Sequence, residues 1–454
     1  MISSKNAGIP AVESSENGSK PGARPSGVGG LAAIQALRPS GEAGVVITGL
    51  GAMGQGLLYQ ISITPGLRCA AVAELKLEQA SAFLRSLGMP FEIVQTRAQL
   101  VSAVERRVLA LTDDGELAVQ APGAQVLIES TDTLRESLAF CRKAQSEGLH
   151  VVMMNAEADL MFGPLLLANA RRAGRIYTSC DGDQPGVVKR LVDEAILWGL
   201  QPVLLGNLKG FLDRTSDPVK IRPEAAKRNL NPRMCAAFTD GTKLNIEAAL
   251  MANACGGVTD VIGMHGPRAK HVREVPELFD LPALRARGAP VVDYVLGAEP
   301  DGGVFVVGYC DHPYQRQMLR YYKMGDGPFY TLVRPMHLCH VEAMRCVFEA
   351  LAGFSMMEPT HGLRTNVFAR AKRALKAGDL LDGLGGHAAY GLIENCDPTA
   401  LPVGLPICLA DNVRLQRDLA QDAPILLDDV TDDAHRTDFA AYRSQFPDVR
   451  TSAS

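Results

Sequence analysis

From Gly44 to Cys180 short apolar runs alternate with longer mixed stretches. Val45–Ile47, residues 69–74 (CAAVAE), 124–130 (AQVLIES), 149–154 (LHVVMM) and 175–180 (RIYTSC) have the length and apolarity of buried strands. Residues 134–148 and 164–174 repeat their apolar positions at helical spacing. Strand and helix in alternation predict an α/β domain, a doubly wound parallel sheet with helices on its faces. Past Cys180 the texture changes. Val188, Leu191, Val192, Ala195 and Ile196 mark one face of a helix over 184–199, with Asp183 placed to cap it and Pro185 in its first turn. Strands are expected at 202–210, 234–241 and 304–310 among irregular stretches, which gives an α+β middle domain. Residues 365–430 carry short strands and turns and predict a small all-β module. Residues 1–29, rich in Ser, Gly and Pro, read as a disordered tail, and 31–38 as a short helix or more of that tail. The expected division is a tail at 1–43, then domains at 44–180, 181–360 and 361–454.

Composition narrows the function classes. The 454 residues supply material for several cores, and 47% hydrophobic with 21% charged residues excludes a wholly disordered chain. A formal net charge of -4 gives no footing for nucleic acid or an anionic membrane, so neither partner is expected. No run of 18 residues is continuously apolar, and the N-terminus lacks signal-peptide order. Ten cysteines without a CxxC read as reduced thiols, which points to the cytoplasm.

Residues 49–54, GLGAMG, satisfy G-x-G-x-x-G between a strand and a helix-like stretch, and Glu74 ends the next strand 20 residues beyond Gly54. Gly49 permits the tight turn, Gly51 leaves room for a pyrophosphate, and Gly54 lets helix and strand approach. The first helical turn, with Ala52 and Met53, offers free N–H groups to phosphates. The combination predicts a Rossmann dinucleotide site for NAD(H) or NADP(H), with an ordinary tight strand-to-helix turn as the alternative. The Glu74 carboxylate suits a ribose 2′-hydroxyl and argues for NAD(H); Lys76 could instead meet a 2′-phosphate.

Further motifs carry a resemblance. VVMMNAEAD (151–159), SCDGDQP (179–185), GMHGPRA (263–269), VVDY (291–294), GVFVVGYCDHP (303–313) and GPFYTLVRPMHL (327–338) are followed by ALKAGDLLDG (374–383) and LPVGL (401–405). Together they resemble the homoserine dehydrogenase-like oxidoreductases with a SAF-type C-terminal domain, a small β-clip fold. That group includes the 1-deoxy-D-xylulose 5-phosphate reductoisomerase-like enzymes. The resemblance implies a catalytic and oligomerisation role for the middle domain, a homo-oligomer, and hydride transfer to or from a small polyhydroxylated substrate, with or without a phosphate. One departure is informative. Homoserine dehydrogenases place a lysine after the asparagine of the strand end, whereas Ala156 follows Asn155 here, so the reductoisomerase-like branch is the nearer relative. A hydroxy-acid or sugar-acid dehydrogenase, and a non-catalytic NAD(P)-binding sensor, are the alternatives.

Ligands of open α/β sheets bind beyond the carboxyl ends of the strands. Asn155, Glu157 and Asp183 are expected there, Asn155 against the cofactor and the other two in the chemistry. Glu157, Asp159 and Asp183 form the candidate set for a divalent metal. Lys209, in GNLKG after an apolar strand, is placed to polarise a carbonyl or move a proton. His265 with Arg268, and Arg334 with His337, are candidate grips for a substrate anion. His337, Cys339, His340 and Cys346 lack the spacing of a standard zinc module, and HVEAMRCVFEAL reads as an amphipathic helix.

Overall fold

The computed structural model describes residues 41–227, 231–431 and 436–446. Most of the expected tail, with its short helix, lies outside them. Strands β1 (Ala43–Thr48), β2 (Leu67–Ala73), β3 (Phe91–Ile93), β4 (Leu109–Thr112), β5 (Ala124–Glu129), β6 (His150–Met153) and β7 (Tyr177–Ser179) form one parallel sheet in the order β3-β4-β2-β1-β5-β6-β7. Helices α1 (Ala52–Ile63), α2 (Leu77–Ser86), α3 (Arg97–Glu105), α4 (Gly115–Ala118), α5 (Arg135–Ser146) and α6 (Ala156–Arg172) connect them. Every residue of β1 is buried, because helices cover both faces of such a sheet. The strand order reverses beside β1, where β2 lies on one side and β5 on the other. This opens a crevice at their carboxyl ends.

The middle of the chain comprises α7 (Gln184–Leu197), β8 (Gln201–Lys209), α8 (Arg222–Lys227), α9 (Pro232–Thr239), α10 (Thr242–Cys255), β9 (Val258–Thr259), α11 (Val275–Leu278), α12 (Leu281–Ala286), β10 (Val291–Leu296), β11 (Val304–Tyr309), α13 (Pro313–Tyr321), β12 (Phe329–Arg334) and α14 (Cys339–Leu351). Its mixed sheet runs β12-β11-β8-β10-β9, with β8 parallel to β10 and antiparallel to β11. Helix α14 returns to the first domain and packs on α1 and the ends of β5 and β6. Gly56 makes that approach possible, since a Cβ there would stand 2.4 Å from the His340 ring. The chain after α14 stays at the sheet edge, where Ser179 N–H donates to the Met357 carbonyl at 2.8 Å.

The C-terminal module pairs β13 (Thr365–Ala371) with β15 (Ala389–Asn395), and β16 (Asp411–Leu415) with β14 (Leu380–Asp382) and β17 (Val430–Thr431). Helix α15 (Thr437–Arg443) follows. Lys372 pins the module to the start of α10 through an ion pair with Asp240 at 2.8 Å, both side chains almost wholly buried.

Two expectations need correcting. Residues 234–241 are not a strand: they fall mostly in α9, which Asn231 caps by accepting from Arg233 N–H at 2.9 Å and Pro232 opens. The helix expected at 164–174 starts eight residues earlier, because Asn155 caps it by accepting from Ala158 N–H. Among the described residues no helix is long and apolar enough to cross a membrane.

Candidate active site

The glycine loop is built as its sequence suggests. Gly49 has φ +82°, and a Cβ there would lie 2.8 Å from the Ser130 backbone. A Cβ on Gly54 would meet the Gly49 carbonyl at 2.0 Å, so helix and strand pack too closely for any side chain. Around Gly51 there is open space, where a Cβ would meet nothing within 4 Å. Gly51 is also the N-cap of α1, whose first turn holds no acidic residue and receives no side-chain cap. Its free N–H groups and partial positive charge therefore face an empty approach, which fits a pyrophosphate. Ala52 and Met53 are exposed at that turn. Glu74 is drawn to the loop, accepting from Leu50 N–H at 2.7 Å and Lys76 N–H at 3.0 Å.

A charged cluster lies beyond the strand ends. Glu157, in the first turn of α6, pairs with Lys243 at 2.7 Å. Lys243 and Glu247 sit four residues apart on α10 and so share one face. Lys209, the last residue of β8, reaches Glu247 at 3.4 Å. Asn207, two residues back and on the same side of β8, donates to Gln184 at 2.8 Å and to Glu247 at 3.2 Å. Asp183 caps α7 and bears electrostatically on both Lys243 and Glu247. The cluster thus joins Glu157, Asp183 and Lys209 through α10. Burial works against the Lys243 charge, but Glu157, Asp183 and Glu247 outweigh it and hold the ammonium above its ordinary range. Burial pushes the Glu247 carboxyl up, against the pull of Lys209.

Glu157 also lines a cavity of about 320 Å³. Its lining includes Asp132, Arg135 and Glu136 after β5, Arg233 of α9, and Asp411, Arg436 and Asp438 of the C-terminal module, where Arg436 pairs with Asp438 at 2.6 Å. Glu129, buried at the end of β5, accepts from Thr131 N–H at 3.0 Å and has one oxygen without a hydrogen-bond partner. Burial pushes its carboxyl up to about 7.

Other expected residues take different roles. The Asn155 side chain accepts from Ala158 N–H at 3.0 Å and donates to the Thr133 carbonyl at 2.9 Å, so it fixes a helix end and the β5 loop. Asp159 is buried beneath the site, bonded to Tyr177 at 2.6 Å and Ser179 at 2.5 Å, and burial raises its carboxyl to about 6. The metal set Glu157, Asp159 and Asp183 is therefore not assembled: Glu157 is held by Lys243, and Asp159 by β7. His265 pairs with Asp260 at 2.7 Å, and its backbone N–H donates to Asp293 at 3.0 Å, which ties down its own loop. Arg268 bears on Tyr294 electrostatically and bridges backbone to Leu296. Arg334 pairs with Glu342. His337 alone of these four lies in the cluster, bearing on Glu247 and standing beside Asp183 and Cys339. Lys243, Glu247, Asn207 and Glu129 were not among the expected residues. A lysine and a glutamate at i, i+4 as the two charged residues of the run TKLNIEAALMANAC was the available signal for the first two.

Residues 182–343 match the family model described as "Oxidoreductase DRL, catalytic domain". The chain carries an oxidoreductase catalytic domain. The matched span runs from the cap of α7 to the first turns of α14 and contains Asp183, Asn207, Lys209, Lys243, Glu247 and His337. No curated protein matches the chain. Among solved structures, a probable dehydrogenase from Thermotoga maritima is 11% identical over 69% of this chain and 90% of its own, with a TM-score of 0.41. A DOX-P reductoisomerase in complex with magnesium is 15% identical over 46% and 57%, with a TM-score of 0.32. A scyllo-inositol dehydrogenase from Lactobacillus casei, with NAD(H) and scyllo-inositol, is 13% identical over 64% and 69%, with a TM-score of 0.31. These likenesses are remote.

Proposed function

We propose that the protein is an NAD(P)-dependent oxidoreductase that reduces or forms a carbonyl on a small polyhydroxylated, phosphorylated substrate, in the manner of the reductoisomerase-like enzymes it resembles. The observation that carries this reading is the run of contacts from Glu157 through Lys243 and Glu247 to Lys209, which joins the end of β6, in the domain whose β1 loop has an open, uncapped helix start, to the end of β8 in the middle domain. The pyrophosphate would lie on Gly51 and the first turn of α1, with the ribose hydroxyls at Glu74. The bound nicotinamide supplies or accepts hydride at a carbon of the substrate. Lys243, kept charged by three carboxylates, polarises the substrate oxygen as a fixed cation rather than as a base. Lys209 is the proton carrier: it delivers a proton to the alkoxide oxygen during reduction, and takes it back in oxidation. Glu247 and Asn207 aim Lys209 and Gln184. The cavity lining mixes Arg135, Arg233 and Arg436 with Asp132, Glu136, Glu157, Asp411 and Asp438, a polar surface that suits a substrate rich in hydroxyl groups.

The test is oxidation of reduced nicotinamide across a panel of phosphorylated ketoses, hydroxy acids and sugar acids. Glu157→Gln and Lys209→Ala should each lose ~10²–10⁴ in turnover, with cofactor affinity within a few-fold. Wild-type turnover in both variants would remove the cluster from the chemistry.

A further inference from the structure

Asp183, His337 and Cys339 come from two ends of the matched domain and meet beside Glu247. Each offers one ligand atom, and these atoms all lie within 4.8 Å of one another. Asp183 opens α7, His337 lies in the loop after β12, and Cys339 begins α14. The thiol already leans on the carboxylate, with Cys339 Sγ 3.7 Å from Asp183 Oδ1. Ligands at ~2.0–2.3 Å around a tetrahedral ion stand ~3.3–3.8 Å apart, so closure about an ion asks for rotamer adjustments of about an ångström.

A second, independent feature concerns the imidazole. His337 Nδ1 is 2.7 Å from the Gly302 carbonyl oxygen. A carbonyl accepts only from N–H, so Nδ1 carries a proton, which leaves Nε2 as the nitrogen that can offer a lone pair to an ion. A backbone carbonyl that fixes the tautomer and orientation of a ring in this way is the usual outer support of a metal-ligating histidine. The electrostatic setting is mixed: Asp183 and Glu247 attract a cation, while burial and those same carboxylates push the Cys339 thiol up, so an ion has to displace its proton. Asp183, Glu247 and Glu157 bring three carboxylates to a neighbourhood with two ammonium groups, Lys209 and Lys243. All three ligand residues are only partly buried, so an ion can reach them.

We propose that Asp183, His337 and Cys339 form a three-ligand site for a borderline divalent cation of the Zn²⁺ type. The donor set decides the class. Thiolate with imidazole and carboxylate selects Zn²⁺, Co²⁺ or Fe²⁺, whereas Mg²⁺ takes oxygen ligands and keeps its waters. Three protein ligands leave a fourth position for water or a substrate oxygen, as in catalytic rather than structural sites. Binding converts the Cys339 thiol to thiolate and releases its proton to solvent. A role for the fourth position rests on the function proposed above; the binding itself does not.

The experiment uses full-length, metal-stripped protein titrated with Co²⁺. One equivalent should bind, with the visible ligand-field absorption of a low-coordinate ion and a thiolate-to-cobalt charge-transfer band. Zn²⁺ should displace it stoichiometrically and excess Mg²⁺ should not. Cys339→Ser should abolish the charge-transfer band, and His337→Ala and Asp183→Asn should each weaken binding at least tenfold. Cofactor titration of the same variants, which reads the glycine loop alone, shows that they remain folded. It also separates failure of this site from failure of the dinucleotide assignment. Absence of stoichiometric binding in the wild type would overturn the proposal. So would a charge-transfer band that persists in Cys339→Ser, because the thiolate would then be another, such as Cys180 or Cys346.

Discussion

Replacing Lys243 with methionine tests the electrostatic link between the two halves of the site. The side chain keeps its length and its apolar packing on α10 but loses its charge. Lys243 and Glu157 are 12% and 18% exposed, so Glu157 would be left largely desolvated and without its cation. Breaking a buried pair costs ~3–5 kcal/mol, and because Glu157 borders a cavity the lower end applies, about 3 kcal/mol. Removing the charge on the other side as well, in Glu157→Gln with Lys243→Met, should recover about 2 kcal/mol of that loss. Trp198 is the one tryptophan of the chain and directly follows α7, which packs on α10. Its emission during urea unfolding reports this region. The expected result is a low midpoint for Lys243→Met, with a higher one for the double variant. If the two single effects add to within ~0.5 kcal/mol, the residues are not coupled and the chain of pairs fails as a unit.

The buried carboxyl of Glu129 gives a pH signature. Its value of about 7 in the fold exceeds the ordinary 4.5, so between these pH values the native state holds a proton that the unfolded chain has released. Stability from this group therefore falls as pH rises through that window. The penalty is complete above about pH 7 and absent below about 4.5, and amounts to about 3 kcal/mol at 1.36 kcal/mol per pH unit. Glu129→Gln should raise the melting temperature at pH 8 and give no gain at pH 4; an equal change at both would refute the assignment. Glu74 is drawn to the glycine loop; if it meets the ribose hydroxyls as proposed, NAD(H) should bind at least as tightly as NADP(H). A tenfold preference for NADP(H), ~1.4 kcal/mol, would contradict that role.

The parallel sheet was legible because its strands are buried on both faces and read as short apolar runs. The glycine loop was legible because Gly49 and Gly54 each answer a separate steric demand of the backbone, whereas the space at Gly51 is open. Helix α10 was not, since nearly every position from Leu244 to Ala254 is buried and the chain shows no polar face to betray its period. Lys243 and Glu247 went unread with it. Asp159 misled for a geometric reason: two residues on a helix are ~200° apart, so Asp159 turns into the core where Glu157 turns towards α10. The meeting of Asp183 with His337 and Cys339 depends on α14 folding back onto α1. A chain that shows only local periodicity cannot reveal that long-range closure.

The most direct measurement is titration of reduced nicotinamide cofactor into the wild type and Gly51→Val, followed by nicotinamide fluorescence, with melting curves on the same samples. The space over Gly51 is open, so the valine should fold normally while its methyl groups occupy the pyrophosphate approach. Binding should be saturable in the wild type and lost in Gly51→Val, with matching melting temperatures. Equal affinity in both proteins would mean that the loop is only a tight turn and that no dinucleotide sits beside the Glu157–Lys243–Glu247–Lys209 cluster.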